Sequence, residues 1–183
     1  MASYTLTING TDRTICIGNR SITISDETGS GASTMSFSMI IRDEGDIPEG
    51  DQEIIVTQDG TRIFAGRILR TKPIKKGSLV VWDIECVDYT RDLDRNLVVE
   101  GYQDMTDKEI IIDIIDNYCG GTDIVYDSVT EGVSISTIVF SYMPPSECFS
   151  VICKLTGRQW YIDYDKDVHY GVKFSTPAPF NIT

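Results

Sequence analysis

The run Glu53-Ile54-Ile55-Val56-Thr57, then Gln58-Asp59-Gly60-Thr61, then Arg62-Ile63-Phe64-Ala65-Gly66-Arg67-Ile68-Leu69-Arg70 decides how the front of the chain folds. Asp-Gly between two β-branched runs is a strong hairpin signal, because a two-residue turn demands positive φ. Gly60 supplies that conformation without steric cost. The spacing predicts a strand from Glu53 to Thr57 and a second from Arg62 to Arg70. Within the second, Gly66 marks a bulge or a close backbone approach.

The same alternation extends outward on both sides. Tyr4, Leu6 and Ile8 alternate with Thr5 and Thr7; Ile22 and Ile24 alternate with Ser21, Thr23 and Ser25. Met35, Phe37, Met39 and Ile41 alternate with Thr34, Ser36 and Ser38, and Val80, Trp82, Ile84 and Cys86 give another one-sided strand. Period two means one buried face and one wet face. Five or more such strands predict a small β-barrel or sandwich.

After Tyr89 the pattern changes. Thr106-Asp107-Lys108-Glu109 is a capping box, followed at helical spacing by Ile111, Ile114, Ile115 and Tyr118 and ended by Gly120-Gly121. A second helix is predicted from Pro145 or Ser146, with Cys148, Val151, Ile152 and Leu155 as its buried stripe and Gly157 as its stop. Gln159–Tyr164 and Val168–Phe174 form a hairpin around Asp165-Lys166-Asp167. The fold class expected is α+β, mostly β. Residues 1–97 form the β-domain, 98–176 an α+β module with two helices and a hairpin, and 177–183, which is Pro-rich, an extended linker or chain end.

Composition narrows the function. The chain has 183 residues, 16 Lys and Arg against 28 Asp and Glu, and a net charge of −12. Gripping nucleic acid through its phosphates needs clustered positive charge, so no nucleic-acid-binding surface is expected. No apolar run reaches the roughly 20 residues that span a bilayer, so no membrane segment is expected. The single His, His169, removes most His-based catalysis and most zinc sites. The five Cys (16, 86, 119, 148 and 153) are odd in number and form no CxxC pair, which predicts reduced thiols.

Clusters that could carry chemistry have plainer readings. Asp163, Asp165 and Asp167 open like a calcium loop, but Val168 and Phe174 stand where that loop needs Gly and Glu. Gly29-Ser30-Gly31-Ala32-Ser33 opens no helix and lacks the Gly-Lys-Ser/Thr of a phosphate cradle, so it reads as a loop. His169 falls on the solvent face of its strand. Asp88, Asp92 and Asp94 interleave with Arg91 and Arg95, which predicts salt-bridged turn residues rather than an acid/base dyad. Trp160, Tyr161, Tyr164 and Tyr170 are either core and interface or a stacking surface for sugars. No catalytic residue, cofactor or metal is expected.

The ordered landmarks carry a resemblance. They are Asp59-Gly60-x-x-Ile63-Phe64-x-Gly66-x-Ile68; Asp88-Tyr89-Thr90-x-x-Leu93-Asp94-Arg95; Tyr102-x-x-Met105-Thr106; Phe140-x-Tyr142 before Pro145 and Glu147; and Gly157-x-x-Trp160-Tyr161-Ile162-Asp163. Over about residues 50–183 the chain resembles the N-terminal region of bacteriophage tail baseplate-hub proteins, of the late-control-D and tail-associated hub kind. The resemblance implies a tail-tube-type barrel, with Asp59, Gly60, Gly66, Asp88, Tyr89, Leu93 and Trp160 as turn and packing residues and Leu93 plugging the barrel base. It further implies a non-enzymatic adaptor in the virion tail, assembled in the bacterial host cytoplasm as a homo-oligomer, with a trimer expected. Its partners would be the tail tube or distal tail protein and the spike, tip or tape-measure protein. A second class stays open: a carbohydrate-binding or hydrolytic accessory domain using the acidic and aromatic hairpin.

Overall fold

The computed structural model describes residues 3–17, 22–25, 32–41, 46–76, 79–130 and 132–172. Gly29-Ser30-Gly31, Lys173, Phe174 and the segment 177–183 lie outside the described residues. The chain divides into two compact units, Met1–Asp92 with Ile162–Lys166, and Leu93–Tyr161 with Asp167–Thr183.

The first unit is built on one antiparallel sheet. Its strands are β1 (Tyr4–Ile8), β2 (Thr11–Asp12), β3 (Ile22–Ser25), β4 (Thr34–Ile40), β5 (Glu53–Gln58), β6 (Thr61–Lys76) and β7 (Leu79–Asp88), in the order β2-β1-β5-β6-β7-β4-β3. A one-turn helix α1 (Thr14–Ile17) packs on β1 and β4. The period-two pattern holds for most of these strands: Leu6, Ile8, Met35, Phe37, Met39, Ile54, Val56, Phe64, Ile68, Ile84 and Cys86 form one buried cluster, while Tyr4 and Val80 are exposed and Val81 is buried in place of Val80. At roughly 2 kcal/mol for each buried aliphatic side chain, this cluster is the main source of cohesion in the unit.

Two expectations for this unit change. β6 runs six residues past Arg70. The strands also form an open sheet rather than a closed barrel, since β2 and β3 remain at its two edges among the described residues. Alternation records which face of a strand is buried, and that is the same for an open and a closed sheet.

A one-turn helix α2 (Thr90–Leu93) follows β7. The second unit pairs β8 (Val98–Thr106) with β9 (Ser134–Met143) and packs α3 (Asp107–Tyr118) and α4 (Pro145–Thr156) on this ribbon and on each other. β10 (Gln159–Ile162) and β11 (Val168–Gly171) form the late hairpin. The capping box forms as read: Thr106 N–H donates to Glu109 Oε2 at 2.8 Å, and Glu109 N–H donates to Thr106 Oγ1 at 3.3 Å. Gly157 ends α4 at φ 70, its N–H donating to Cys153 O.

The stripes differ in detail from their sequence reading. In α4 the buried residues are Pro145, Cys148, Phe149 and Ile152, while Leu155 is exposed. Phe149 lies one residue round from Cys148 and finds Trp160, so packing turns the stripe away from Leu155. In α3 Ile110 joins Ile111, Ile114 and Ile115 inside, and Tyr118 is only half-buried. No helix among the described residues is long and apolar enough to cross a membrane.

Candidate functional site

The Asp59-Gly60 turn has φ 50 and φ 85, the two consecutive positive values of a tight hairpin. Asp59 Oδ1 accepts the N–H of Ser3 and Asp59 N–H donates to Ser3 O, both at 2.8 Å, so the turn also holds the start of β1. Gly66 sits in the middle of the sheet, opposite Ile54 of β5 and Asp88 of β7. A Cβ there would stand 2.1 Å from the carbonyl oxygen of Val87, so the strands approach more closely than any side chain permits.

Asp88-Tyr89-Thr90 closes one end of the same sheet. Asp88 is buried and accepts Ser33 N–H at 2.6 Å and Thr90 N–H at 2.9 Å. Burial lifts its carboxyl above the usual value, against the lowering effect of those hydrogen bonds. Tyr89 is buried, its hydroxyl donating to Glu53 Oε1 at 2.9 Å and Lys166 Nζ standing 5.0 Å from its ring centroid. Lys166 also reaches Glu53 at 3.1 Å. Burial acts to raise Glu53, but the bonds from Lys166 and Tyr89 prevail and hold it below its ordinary value. Asp92, fully buried, takes Arg67 Nε at 2.9 Å.

The Asp/Arg run is therefore spent on structure, and it draws partners from outside the run as well, Arg67 among them. Asp94 takes both the N–H and the hydroxyl of Ser146, which caps the first turn of α4 from a distance of 52 residues in sequence. Leu93 is fully buried, is grouped with the second unit, and its carbonyl accepts the thiol of Cys119.

The late hairpin uses its aromatics internally. Trp160 packs edge-on to Phe149 at 5.3 Å and donates Nε1–H to Ser150 Oγ at 3.2 Å. Tyr170 is fully buried, and Tyr164 packs on Phe64. His169 is not solvent-facing: it is half-buried, because the ring of Tyr161 stacks flat on it at 4.4 Å. The acids are engaged as well. Asp163 accepts Asp165 N–H, Asp165 pairs with Arg62, and Asp167 takes the N–H and hydroxyl of Ser128.

One heavily used polar residue was not singled out from sequence. Asp107, at 0% exposure, accepts Lys108 N–H and Val133 N–H, each at 2.8 Å, on Oδ1. Its Oδ2 takes the Tyr170 hydroxyl at 2.6 Å and lies 3.3 Å from Arg158 Nε. Burial and the bond to Asp107 both push the Tyr170 hydroxyl upward, so it stays a donor. A Cβ on Gly132 would fall 1.3 Å from Asp107 Oδ1. The capping box drew attention to Thr106 and Glu109, while Asp107 between them reads in sequence as an ordinary first-turn acid. Only the return of Tyr170, 63 residues later, gives it a role. These arrangements position and pack; nucleophile, base and oxyanion donors do not converge in any of them.

No protein-family model matches the sequence, and no curated protein matches it. Solved structures do match. The 43 kDa tail protein of prophage MuSo2 from Shewanella oneidensis aligns with a TM-score of 0.74 at 16% identity, over 91% of this chain and 53% of that one. A tail protein from Neisseria meningitidis MC58 aligns with a TM-score of 0.73 at 14% identity, over 96% and 53%. The Escherichia coli c3393 protein is a type VI secretion component described as similar to the T4 tail proteins gp27 and gp5. It aligns with a TM-score of 0.65 at 14% identity, over 90% and 48%. The chain thus spans about half the length of each of these three. The fold of this chain is shared with these phage tail and type VI secretion proteins.

Proposed function

We propose that this chain is a structural component of a phage or phage-like tail tip. In this reading it is a baseplate-hub adaptor that joins the tail tube or distal tail protein to the central spike, tip or tape-measure protein. The observation that carries the reading is a shared fold over nearly the whole chain with phage tail proteins and a type VI secretion component. The adaptor works by contact rather than catalysis, in the virion tail, and is assembled in the host cytoplasm.

Residues 1–97 make a threefold ring and 98–176 form the α+β module. The tail-tube-type barrel arises between copies, because the sheet of a single copy keeps two edges among the described residues that need covering. At −12 per chain, the wall of such a ring repels phosphates, so DNA passes without sticking. The accessory-domain reading has less support, since Trp160 and Tyr170 are buried and the hairpin acids have protein partners. Negative-stain electron microscopy of the purified protein at high concentration and moderate salt tests the proposal. Rings with threefold symmetry are expected; single particles at every concentration contradict it.

A further inference from the structure

The sequence holds five asparagines, Asn9, Asn19, Asn96, Asn117 and Asn181, and only Asn9 is followed by glycine. Asparagine is thermolabile because the backbone nitrogen of the next residue can attack its side-chain carbonyl. A side chain on that next residue obstructs the approach, and glycine has none.

The structure separates Asn9 from the other described asparagines. Asn96 Nδ2 donates to Tyr118 O at 2.7 Å and Asn117 Nδ2 to Asp113 Oδ1 at 2.9 Å, and the bulky Leu97 and Tyr118 follow them. Asn9 and Gly10 are both exposed and form the two-residue turn between β1 and β2, with φ 47 and φ 75. Asn9 N–H is held by Glu53 O at 2.8 Å, but the Asn9 side chain makes no hydrogen bond among the described residues. Nothing stands within 4 Å of where a Cβ of Gly10 would lie. Electrophile and nucleophile are therefore chain neighbours, open to water and unobstructed. The other tight turn differs. Asp59-Gly60 has the same two positive φ values, but Asp59 Oδ1 accepts Ser3 N–H at 2.8 Å, and a carboxylate is a poorer electrophile than an amide.

We infer that Asn9 is a modification site, where the side-chain amide converts to aspartate and isoaspartate without an enzyme. The Gly10 nitrogen attacks Asn9 Cγ. The N–Cγ bond forms, the Cγ–Nδ2 bond breaks, and Nδ2 leaves as ammonia with the proton from the Gly10 nitrogen. Water then opens the cyclic imide. Addition at Cγ gives aspartate; addition at the main-chain carbonyl gives isoaspartate, whose backbone is longer by one carbon. Either product adds a negative charge.

The two products differ in consequence. Asp59-Gly60 shows that this kind of turn accepts an aspartate. An extra main-chain carbon does not fit, because Ile8 pairs with Thr11 directly across the two turn residues. β2 pairs with β1 through Thr7–Asp12 and Ile8–Thr11, and Asp12 Oδ1 accepts Thr14 N–H at the start of α1. Isoaspartate at Asn9 therefore loosens β2 and α1 at the edge of the sheet and leaves the strands beyond β1 paired.

Incubation of the purified chain at pH 8 and 37 °C, followed by peptide mapping with mass spectrometry, tests this. Acid product is expected at Asn9 first, with Asn96 and Asn117 intact, and Asn9→Gln is expected to lose that product. An isoaspartyl methyltransferase marks the isoaspartate fraction. That fraction, once separated, is expected to exchange amide hydrogens faster in β2 and α1 alone, whereas Asn9→Asp exchanges like wild type. An Asn9 that keeps its amide in the native chain while the urea-unfolded chain loses it overturns the inference, since the turn would then protect it. Conversion first at Asn96 or Asn117 also overturns it. An isoaspartate fraction with native exchange overturns the consequence for β2 and α1.

Discussion

The two units bury their interiors by different means. In the first, strands distant in sequence bring Leu6, Phe37, Val56, Phe64 and Ile84 together, and its buried acids Asp88 and Asp92 lie where β7 leads into α2, Asp92 taking Arg67. In the second, a carboxylate with no exposure lies at the start of α3 and collects two backbone donors, a tyrosine hydroxyl and an arginine. A sheet core degrades gradually as methyl groups are removed. A buried charge with four partners does not, because removing it strands all of them at once. The second unit is therefore brittle at Asp107 in a way that the apolar core of the first is not.

The sharpest way to break this contrast is Asp107→Ala. It is expected to cost about 3 kcal/mol or more, since Arg158 and the Tyr170 hydroxyl lose their buried partner. Urea denaturation checks the loss, and hydrogen exchange should place it in α3 and β11. A cost under 1 kcal/mol would mean that water replaces the carboxylate and that the units are equally robust.

Next in size are two glycines of the first unit. Gly66→Ala is expected to cost about 1–3 kcal/mol, because its Cβ meets a fixed backbone carbonyl in a central strand. Gly60→Ala meets nothing within 4 Å and bears only the positive φ, so about 1 kcal/mol is expected. Thermal melts that reverse this order would show that the sheet yields at Gly66 more readily than the turn does.

A smaller effect comes from pH. Glu53 is held below its ordinary 4.5 by Lys166 and Tyr89. Its contribution is present above pH 4.5 and is lost as pH falls through the lower folded value. Wild type should lose more stability on acidification than Glu53→Gln, by well under about 1 kcal/mol because the half-buried carboxylate stays in reach of screening solvent. Parallel acid titrations would contradict the rim pairing.

The least disruptive probe is thiol labelling. All five cysteines are free. Burial pushes Cys86, Cys119, Cys148 and Cys153 up to about 12, while Cys16 is half-exposed on α1. Ellman's reagent at pH 8 should label Cys16 first and the others only on unfolding. Early labelling of Cys119 or Cys148 would indicate that the second unit opens locally.

What could be read in the sequence follows the same division. The sheet was legible strand by strand, because burial on one face imposes period two and Asp59-Gly60 fixes the connection between β5 and β6. The capping box and Gly157 likewise marked the ends of α3 and α4 through local chemistry. The open edges were not legible, because they depend on which strands are neighbours. Phe149 replaced Leu155 in the α4 core because Trp160 was available to it. Asp107 and Gly132 were missed for the same reason, since each takes its meaning from a residue far along the chain. The landmarks Tyr89, Leu93 and Trp160 were recognisable as a set, but their partners Glu53, Cys119 and Ser150 were not.

The central claim is that the chain is built to assemble, and its mass in solution tests this most directly. Size-exclusion chromatography with multi-angle light scattering, run at high protein concentration in moderate salt, is expected to give three times the 20.4 kDa of one chain. A constant 20.4 kDa across the whole concentration range would contradict the account.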